Sequence, residues 1–216
     1  MTSVDRVRIE PATPDHATTV SELVWSTGPS SYSYIFGERR LFDVFVQEAW
    51  RTPDSYFGHT DATLARDGER VVGVEIGFAG ARNYETRANL ARVSSALRAG
   101  GCLASSELAG ILGRAEKASY LNPHVPHSAY YVLALAVVPE VRGRGVGARL
   151  LAHALEKARA AGCRSLHLDV LSDNAAVSFY RAHGLETVAE TVAPEPHRCG
   201  VPMEMRMTIA LEGDQA

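Results

Sequence analysis

Phosphate-binding chemistry is indicated first by a glycine-rich segment at residues 139–148, whose sequence is PEVRGRGVGA. Its arginines and glycines are Arg142, Gly143, Arg144, Gly145 and Gly147. Glycines at alternate positions let the backbone approach a ligand closely. The segment lies between an apolar run and an amphipathic one, so we expect it to join a strand to the start of a helix. The free N–H groups of such a helix start, together with the helix dipole, bind a phosphate or pyrophosphate.

Three other interpretations of this segment compete. A Walker A loop needs the pattern GxxxxGK[ST], which the sequence does not contain. The glycines do not match GxGxxG, but Asp169 lies near the spacing of the acidic residue in a dinucleotide-binding fold, so a Rossmann-like nucleotide binder stays open. That fold predicts a parallel sheet, whereas Asp67-Gly68 between two β-rich runs predicts an antiparallel hairpin. A tight turn that binds no ligand is the third interpretation.

Hydrophobic periodicity predicts the elements that position the turn. Residues 130–138 form a continuous apolar strand, which is typical of a central strand that is buried on both faces. An amphipathic helix is predicted over 144–161, a second central strand over 165–171 and a short helix over 174–183. The full predicted order is β-α-α-β-β, then a helical insertion at about 82–128 that covers a site, then β-α-β-α-β-β.

Composition favours one globular domain over residues 1–211, followed by a tail at 212–216. The chain has 216 residues, of which 46% are hydrophobic and 22% charged, so it can bury a sizeable core. Its net charge of −3 disfavours a nucleic-acid partner, since such domains usually carry a basic surplus.

The sequence also restricts the compartment and the metal chemistry. No apolar run approaches the roughly 20 residues of a spanning helix, so no membrane partner is expected. The first residues contain no apolar segment typical of a signal peptide, which favours a cytoplasmic protein. Three cysteines without CxxC spacing predict neither a metal site nor a disulfide framework. The excess of arginine over lysine, together with abundant alanine, is typical of a GC-rich bacterial genome.

Two stretches resemble the GNAT-type acyl-CoA N-acyltransferases. Arg142-x-x-Gly145-x-Gly147 is similar to the family's Arg/Gln-x-x-Gly-x-Gly/Ala signature, and the strand before it is also similar. The second stretch contains Leu168-Asp169-Val170, Asn174, Phe179-Tyr180 and Gly184. The resemblance is specific over 130–185. It implies an α/β domain with a mixed, mainly antiparallel sheet, in which two splayed central strands are flanked by helices.

The resemblance implies acetyl-CoA as co-substrate and no metal. Backbone N–H groups would hold its pyrophosphate at Arg142, Gly143, Arg144, Gly145, Val146 and Gly147. The exposed strand edge at Leu135, Ala136 and Val137 would pair with the pantetheine arm, as in strand addition. The spacing from Asn174 to Tyr180 is one residue shorter than in the family pattern, so either Asp173 or Asn174 takes the position of the asparagine that contacts the cofactor.

By the same resemblance, the protein would transfer an acetyl group to a primary amine of a small molecule or peptide by direct attack on the thioester. A non-catalytic acyl-CoA-binding or regulatory protein on the same fold is the alternative. A homodimer is compatible with either. The acceptor pocket would be walled by the 82–128 insertion and by Tyr32, Tyr34 and Phe36, unless these aromatics fill the core.

Amine acylation requires a base for the ammonium, a donor for the developing oxyanion and an acid for the leaving thiolate. Tyr180 is the predicted acid, because a phenol stays protonated at neutral pH and can donate to a thiolate. A backbone N–H near Val137 is the predicted oxyanion donor. Asp169 on the second central strand is the predicted base, and Glu75 or an ordered water chain is the alternative.

Overall fold

A seven-stranded sheet organises the computed structural model, which describes residues 6–211. Its strand order is β1-β2-β3-β4-β5-β7-β6. The strands are β1 (Val7–Pro11), β2 (Ala62–Asp67), β3 (Arg70–Ala79), β4 (Ala129–Val137), β5 (Ser165–Leu171), β6 (Glu186–Thr191) and β7 (Glu204–Ala210). Strands β4 and β5 are parallel to each other, and every other neighbouring pair is antiparallel. The predicted mixed sheet is confirmed, and the parallel Rossmann-like alternative is wrong.

Nine α-helices lie within the described residues. They are α1 (Ala17–Trp25), α2 (Pro29–Phe36), α3 (Arg39–Arg51), α4 (Asn83–Ala88), α5 (Leu90–Ala99), α6 (Ser105–Ala118), α7 (Val146–Ala160), α8 (Ala176–Ala182) and α9 (Pro194–Arg198). Helices α4, α5 and α6 make up the segment predicted as a helical insertion. Helix α9 lies where a turn was expected, and Pro194 at its first position fits the preference of proline for helix starts. The predicted tail at 212–216 lies outside the described residues.

Two hydrophobic layers hold the helices against the sheet. On one side, Val74, Ile76 and Phe78 of β3 pack with the apolar faces of α1, α3, α5 and α6. On the other side, Val72 packs with Val146 and Leu150 of α7. Val72 is an extra residue of β3 in its pairing with β2, and this bulge turns it to the face opposite that of Val74. Among residues 6–211, no helix combines the length and the apolarity needed to cross a bilayer.

The hairpin predicted at Asp67-Gly68 is present. Strands β2 and β3 pair antiparallel up to Asp67 opposite Arg70. Gly68 has φ +60°, a left-handed conformation that glycine adopts without a steric penalty. The hairpin places β3 beside β4, and so it sets one side of the strand pair that forms the site.

Strands β4 and β5 separate along their length. Their parallel pairing runs from Ala129 opposite Ser165 to Val132 opposite Leu168, where it ends. The register of β4 with β3 shifts at the same place, because Gly77 lies opposite Val132 whereas Ile76 lies opposite Ala134. Leu133 is thus an extra residue on β4, and a bulge of this kind bends its strand. The predicted splay of the central strands is therefore present.

Candidate functional site

A cavity of about 1150 Å³ lies where β4 and β5 separate. One end is bounded by the glycine-rich turn before α7 and the other by α2, α5 and α6. Its middle is lined by residues 131–137 of β4 and residues 168–171 of β5. The fold thus joins the predicted phosphate-binding turn to the helical insertion through a single cavity.

The glycine-rich turn presents backbone rather than side chains to the cavity. Gly143 has φ +72° and Gly145 has φ +82°, so both adopt the left-handed conformation. A Cβ at either position would meet no atom within 4 Å, so the space in front of this backbone is open. The hydrogen bond from Arg149 N–H to Gly145 O, 3.1 Å long, opens the α7 ladder. The N–H groups of the three preceding residues therefore have no acceptor within the helix.

The predicted phosphate-binding residues divide into two groups. Those that line the cavity are Arg142, Gly143, Gly145 and Gly147. Arg144 and Val146 do not line it: Arg144 is exposed, and the Val146 side chain is buried against the core. At these two positions only the backbone N–H remains available for the predicted role. The Arg142 side chain folds back, and its Nε donates to Val137 O at 3.0 Å.

Strand β4 directs unpaired backbone groups into the cavity. Val138 N–H donates to Val72 O of β3 at 2.9 Å. Because residues of an antiparallel pair alternate in the direction of their backbone groups, those of Val137 and Leu135 point away from β3 and toward the separation. Ala136, which lies between them, directs its backbone groups at β3. Because Val137 O already accepts from Arg142 Nε, an extended, amide-containing ligand can pair with the Leu135 groups and with the Val137 N–H.

Tyr180 of α8 lies at the same separation. Its side chain is buried and lines the cavity. In the described part of the chain, the Tyr180 hydroxyl has no hydrogen-bond partner. Burial raises the pKa of Tyr180 above that of a free phenol, so the hydroxyl is a proton donor at neutral pH.

Asn174 rather than Asp173 lines the cavity. Its Oδ1 accepts a hydrogen bond from Ala176 N–H at 2.9 Å, and its Nδ2 donates to Thr27 O at 3.1 Å. The side chain thus caps α8 and ties it to the segment after α1. Asp173 is exposed.

Asp169 lines the cavity, but both of its oxygens already accept hydrogen bonds. Arg206 of β7 donates to both oxygens, at 2.5 and 2.8 Å, and Tyr131 donates at 2.8 Å. The Asp169 and Arg206 side chains are each only 3% exposed. Arg206 also donates to the carbonyls of Pro123 and His124, so the pair fastens the end of the insertion to the sheet. Asp169 could act as the predicted proton acceptor only by exchanging one of these donors.

Glu75, the predicted alternative base, lies outside the cavity. It is fully buried on the α7 side of the sheet, where it accepts hydrogen bonds from Lys157 at 2.9 Å and Tyr130 at 3.3 Å. Burial raises the pKa of Glu75, and the Lys157 charge opposes that rise. The alternation of β3 turns Glu75 away from the separation of β4 and β5. Glu75 is therefore not among the described groups that line the cavity.

Glu204, at the start of β7, is the carboxylate that the sequence prediction missed. It is 8% exposed and lines the cavity. Its Oε2 accepts from Asn122 at 2.8 Å, and its Oε1 lies 3.5 Å from the Ser31 hydroxyl. Burial raises the pKa of Glu204 to about 7, and the charge of Asp169 adds to the rise. The alternation of β7 could have suggested it, because Glu204 and Arg206 share a face and Arg206 lies opposite Asp169.

The three aromatics of the second helix have different surroundings. Tyr32 and Phe36 line the cavity, and both pack against Phe42, with ring centroids 4.7 and 5.2 Å away. Tyr34 instead points its hydroxyl at Glu195, 3.3 Å away. The aromatics thus wall the cavity and fill the core at the same time.

Comparison with known families gives a match over most of the chain. The model of a family described as "Acetyltransferase (GNAT) family" matches residues 21–185. An uncharacterized protein of Mycobacterium leprae (strain TN) is 42% identical over 66 residues, which are 30% of this chain and 18% of that protein. The match thus spans less than a fifth of the length of that relative.

Solved structures share the fold over nearly the whole chain. An N-acetyltransferase from Staphylococcus aureus Mu50 is similar with a TM-score of 0.72 and 14% identity, covering 94% of this chain and 100% of that one. A second structure, described as an acetyltransferase, has a TM-score of 0.67 and 21% identity, covering 95% and 100%. An agmatine N-acetyltransferase has a TM-score of 0.58 and 15% identity, covering 96% and 100%. At these identities the likeness establishes the fold.

Proposed function

Because the chain belongs to the GNAT acetyltransferase family, we propose that it transfers an acetyl group from acetyl-CoA to a primary amine. The observation that carries this proposal is the continuous cavity at the separation of β4 and β5. The open glycine turn, the free edge of β4, Tyr180 and Glu204 all border it. A binding protein without catalytic function would need the turn and the strand edge, but it would not need the acid and the carboxylate.

The residues of the turn and of β4 fit acetyl-CoA. The open backbone at Gly143 and Gly145 and the free N–H groups of the first turn of α7 would hold the pyrophosphate. The outward backbone groups of Leu135 would hold the amide-containing pantetheine arm. When bound, acetyl-CoA supplies an acyl group activated as a thioester. The Val137 N–H would stabilise negative charge on the acyl oxygen.

Two side chains would handle the protons. We propose that Glu204 accepts a proton from the acceptor ammonium, the role that the sequence assigned to Asp169. Tyr180 would donate a proton to the leaving sulfur. A base whose pKa lies near the working pH combines a useful deprotonated fraction with adequate basicity, which fits the pKa of Glu204 near 7.

The direct test combines binding with turnover. Calorimetry with acetyl-CoA should show binding, and a thiol-specific dye should report release of free CoA when a primary amine is added from a panel of alkylamines, amino acids and short peptides. Release must depend on both substrates. Binding of acetyl-CoA without amine-dependent thiol release across the panel would contradict the proposed reaction and favour the non-catalytic alternative.

The pH profile of kcat/KM identifies the base. The charged and titratable groups that face Glu204 are Asp169, Arg206 and Tyr32. Because the carboxylate must be deprotonated to act, activity should rise with pH through about 7, the pKa of Glu204. Glu204→Gln should abolish this rise and lower kcat/KM at pH 8 by about 10²- to 10⁴-fold.

Asp169→Asn serves as the comparison for that measurement. It keeps the shape of the other cavity carboxylate but removes the charge that adds to the raised pKa of Glu204, so we expect the rise to persist and to move to lower pH. If the rise instead disappears in Asp169→Asn and persists in Glu204→Gln, the base is Asp169, as the sequence predicted.

A further inference from the structure

We infer that the acceptor is a primary amine with an apolar body and no second cationic group, held with its nitrogen at Glu204 and its distal end against α6. This inference rests on the proposed function and specifies the substrate class of the same site. It is carried by the distribution of charge and apolar surface over the acceptor end of the cavity.

The insertion contributes an apolar wall. Helix α5 lines the cavity with Leu90, Ala91 and Ser94, and α6 lines it with Ile111, Leu112, Ala115 and Ala118. Opposite them stand Ile35, Phe36 and Phe45 of α2 and α3. None of these side chains carries a charge. Apolar walls of this kind stabilise a ligand by removing hydrocarbon from water.

Negative charge is concentrated at one place on the lining. In the described chain, the carboxylates that line the cavity are Asp169 and Glu204, and Asn122 Nδ2 lies within 3.3 Å of an oxygen of each. Arg206 already neutralises Asp169. Glu204 therefore remains as the carboxylate that can receive an ammonium group.

Among residues 6–211, the α6 end of the cavity lining has no carboxylate for a second cation. The acidic residues of α6 lie elsewhere: Glu107 pairs with Arg40 at 2.5 Å, and Glu116 is exposed. Arg87 lies on the lining instead, with its guanidinium 4.7 Å from the centre of the Tyr56 ring. A distal ammonium or guanidinium group held against this apolar wall would lose water without gaining an anion, which is costly.

Two probes of one length test the inference. Hexylamine and 1,5-diaminopentane differ only in a terminal methyl or ammonium group. We expect kcat/KM for hexylamine to exceed that for the diamine by about 100-fold, because the buried ammonium would lack a partner. Equal or better use of the diamine would overturn the inference.

A matched pair of variants tests whether the distal end of the amine lies against α6. Leu112 lines the cavity and is 56% exposed, so a polar substitute can be accommodated. Leu112→Glu should narrow the ratio between the two probes by about two- to fivefold, because an ion pair at this exposed position adds an anion for the distal ammonium. Leu112→Gln, similar in size but neutral, should leave the ratio near its original value. Equal ratios in the two variants would overturn the placement against α6.

Calorimetry with acetyl-CoA, run on every variant, separates this inference from the proposed function. If acetyl-CoA binds and another amine is acetylated while hexylamine is not, the apolar acceptor class is overturned and the acetyltransferase function stands. If acetyl-CoA does not bind the parent protein, the proposed function itself fails.

Discussion

Tyr180→Phe is expected to slow acetyl transfer by about 10²- to 10⁴-fold, the usual contribution of a positioned general acid. The substitution removes only the hydroxyl. Since that hydroxyl has no hydrogen-bond partner in the described structure, its loss should leave the fold and the affinity for acetyl-CoA nearly unchanged. Single-turnover kinetics, in which thiol release is followed from a preformed complex, measures the chemical step directly.

Tyr130→Phe provides the matched control for that experiment. Tyr130 is also buried, but it does not line the cavity, and its hydroxyl donates to Gly77 O at 2.6 Å. Loss of the Tyr130 hydroxyl removes this donor from the buried Gly77 carbonyl. The free energy of unfolding should therefore fall by about 1–3 kcal/mol, while the chemical rate is retained. Parental single-turnover rates in Tyr180→Phe would contradict the role of Tyr180 as the acid.

Local patterns predicted the elements that carry the cofactor end of the cavity. The alternation of glycines at 143–147 and the apolar run before it require a strand, a turn and a helix start in that order. Positive φ angles at Gly143 and Gly145 are the conformations that make glycine necessary there. Sequence was sufficient because adjacent residues determine this geometry.

The acceptor end depends on contacts between distant segments, so the sequence predicted it less well. Asp169 is surrounded by Arg206, Tyr131 and Asn122, which come from β7, β4 and the insertion. Whether a carboxylate is free or already paired depends on such neighbours, which periodicity does not reveal. The surroundings of Glu75 were also not predictable from the sequence, because only the strand register determines that it lies on the α7 face of the sheet.

Glu204 was missed for a related reason. At the start of a short C-terminal strand, a glutamate ordinarily faces solvent. Here β7 lies inside the sheet between β5 and β6, and the insertion covers its first residue through Asn122. The burial of Glu204 arises from the strand order and from the insertion together. The residues close to position 204 in the sequence indicate neither of them.

Gly145→Val is expected to weaken acetyl-CoA binding by at least about 100-fold, since several charge-assisted hydrogen bonds to phosphate are worth about 1.5–3 kcal/mol each. The Cβ would project into the open space in front of the turn. The left-handed conformation at φ +82° would also be strained by a β-branched side chain, so the backbone that presents the N–H groups would shift. Calorimetric titration with acetyl-CoA measures the loss.

Gly162→Val is a control that distinguishes a direct loss of acetyl-CoA binding in Gly145→Val from the effect of backbone strain. Gly162 follows the other end of α7, about 22 Å away along a helix of this length. It has φ +69° and open space in front of it, so valine imposes a similar strain there, about 1–2 kcal/mol. Urea denaturation should therefore show similar destabilisation of the two variants, while only Gly145→Val loses acetyl-CoA. Parental affinity in Gly145→Val, or an equal loss in both variants, would mean that the turn does not hold the pyrophosphate.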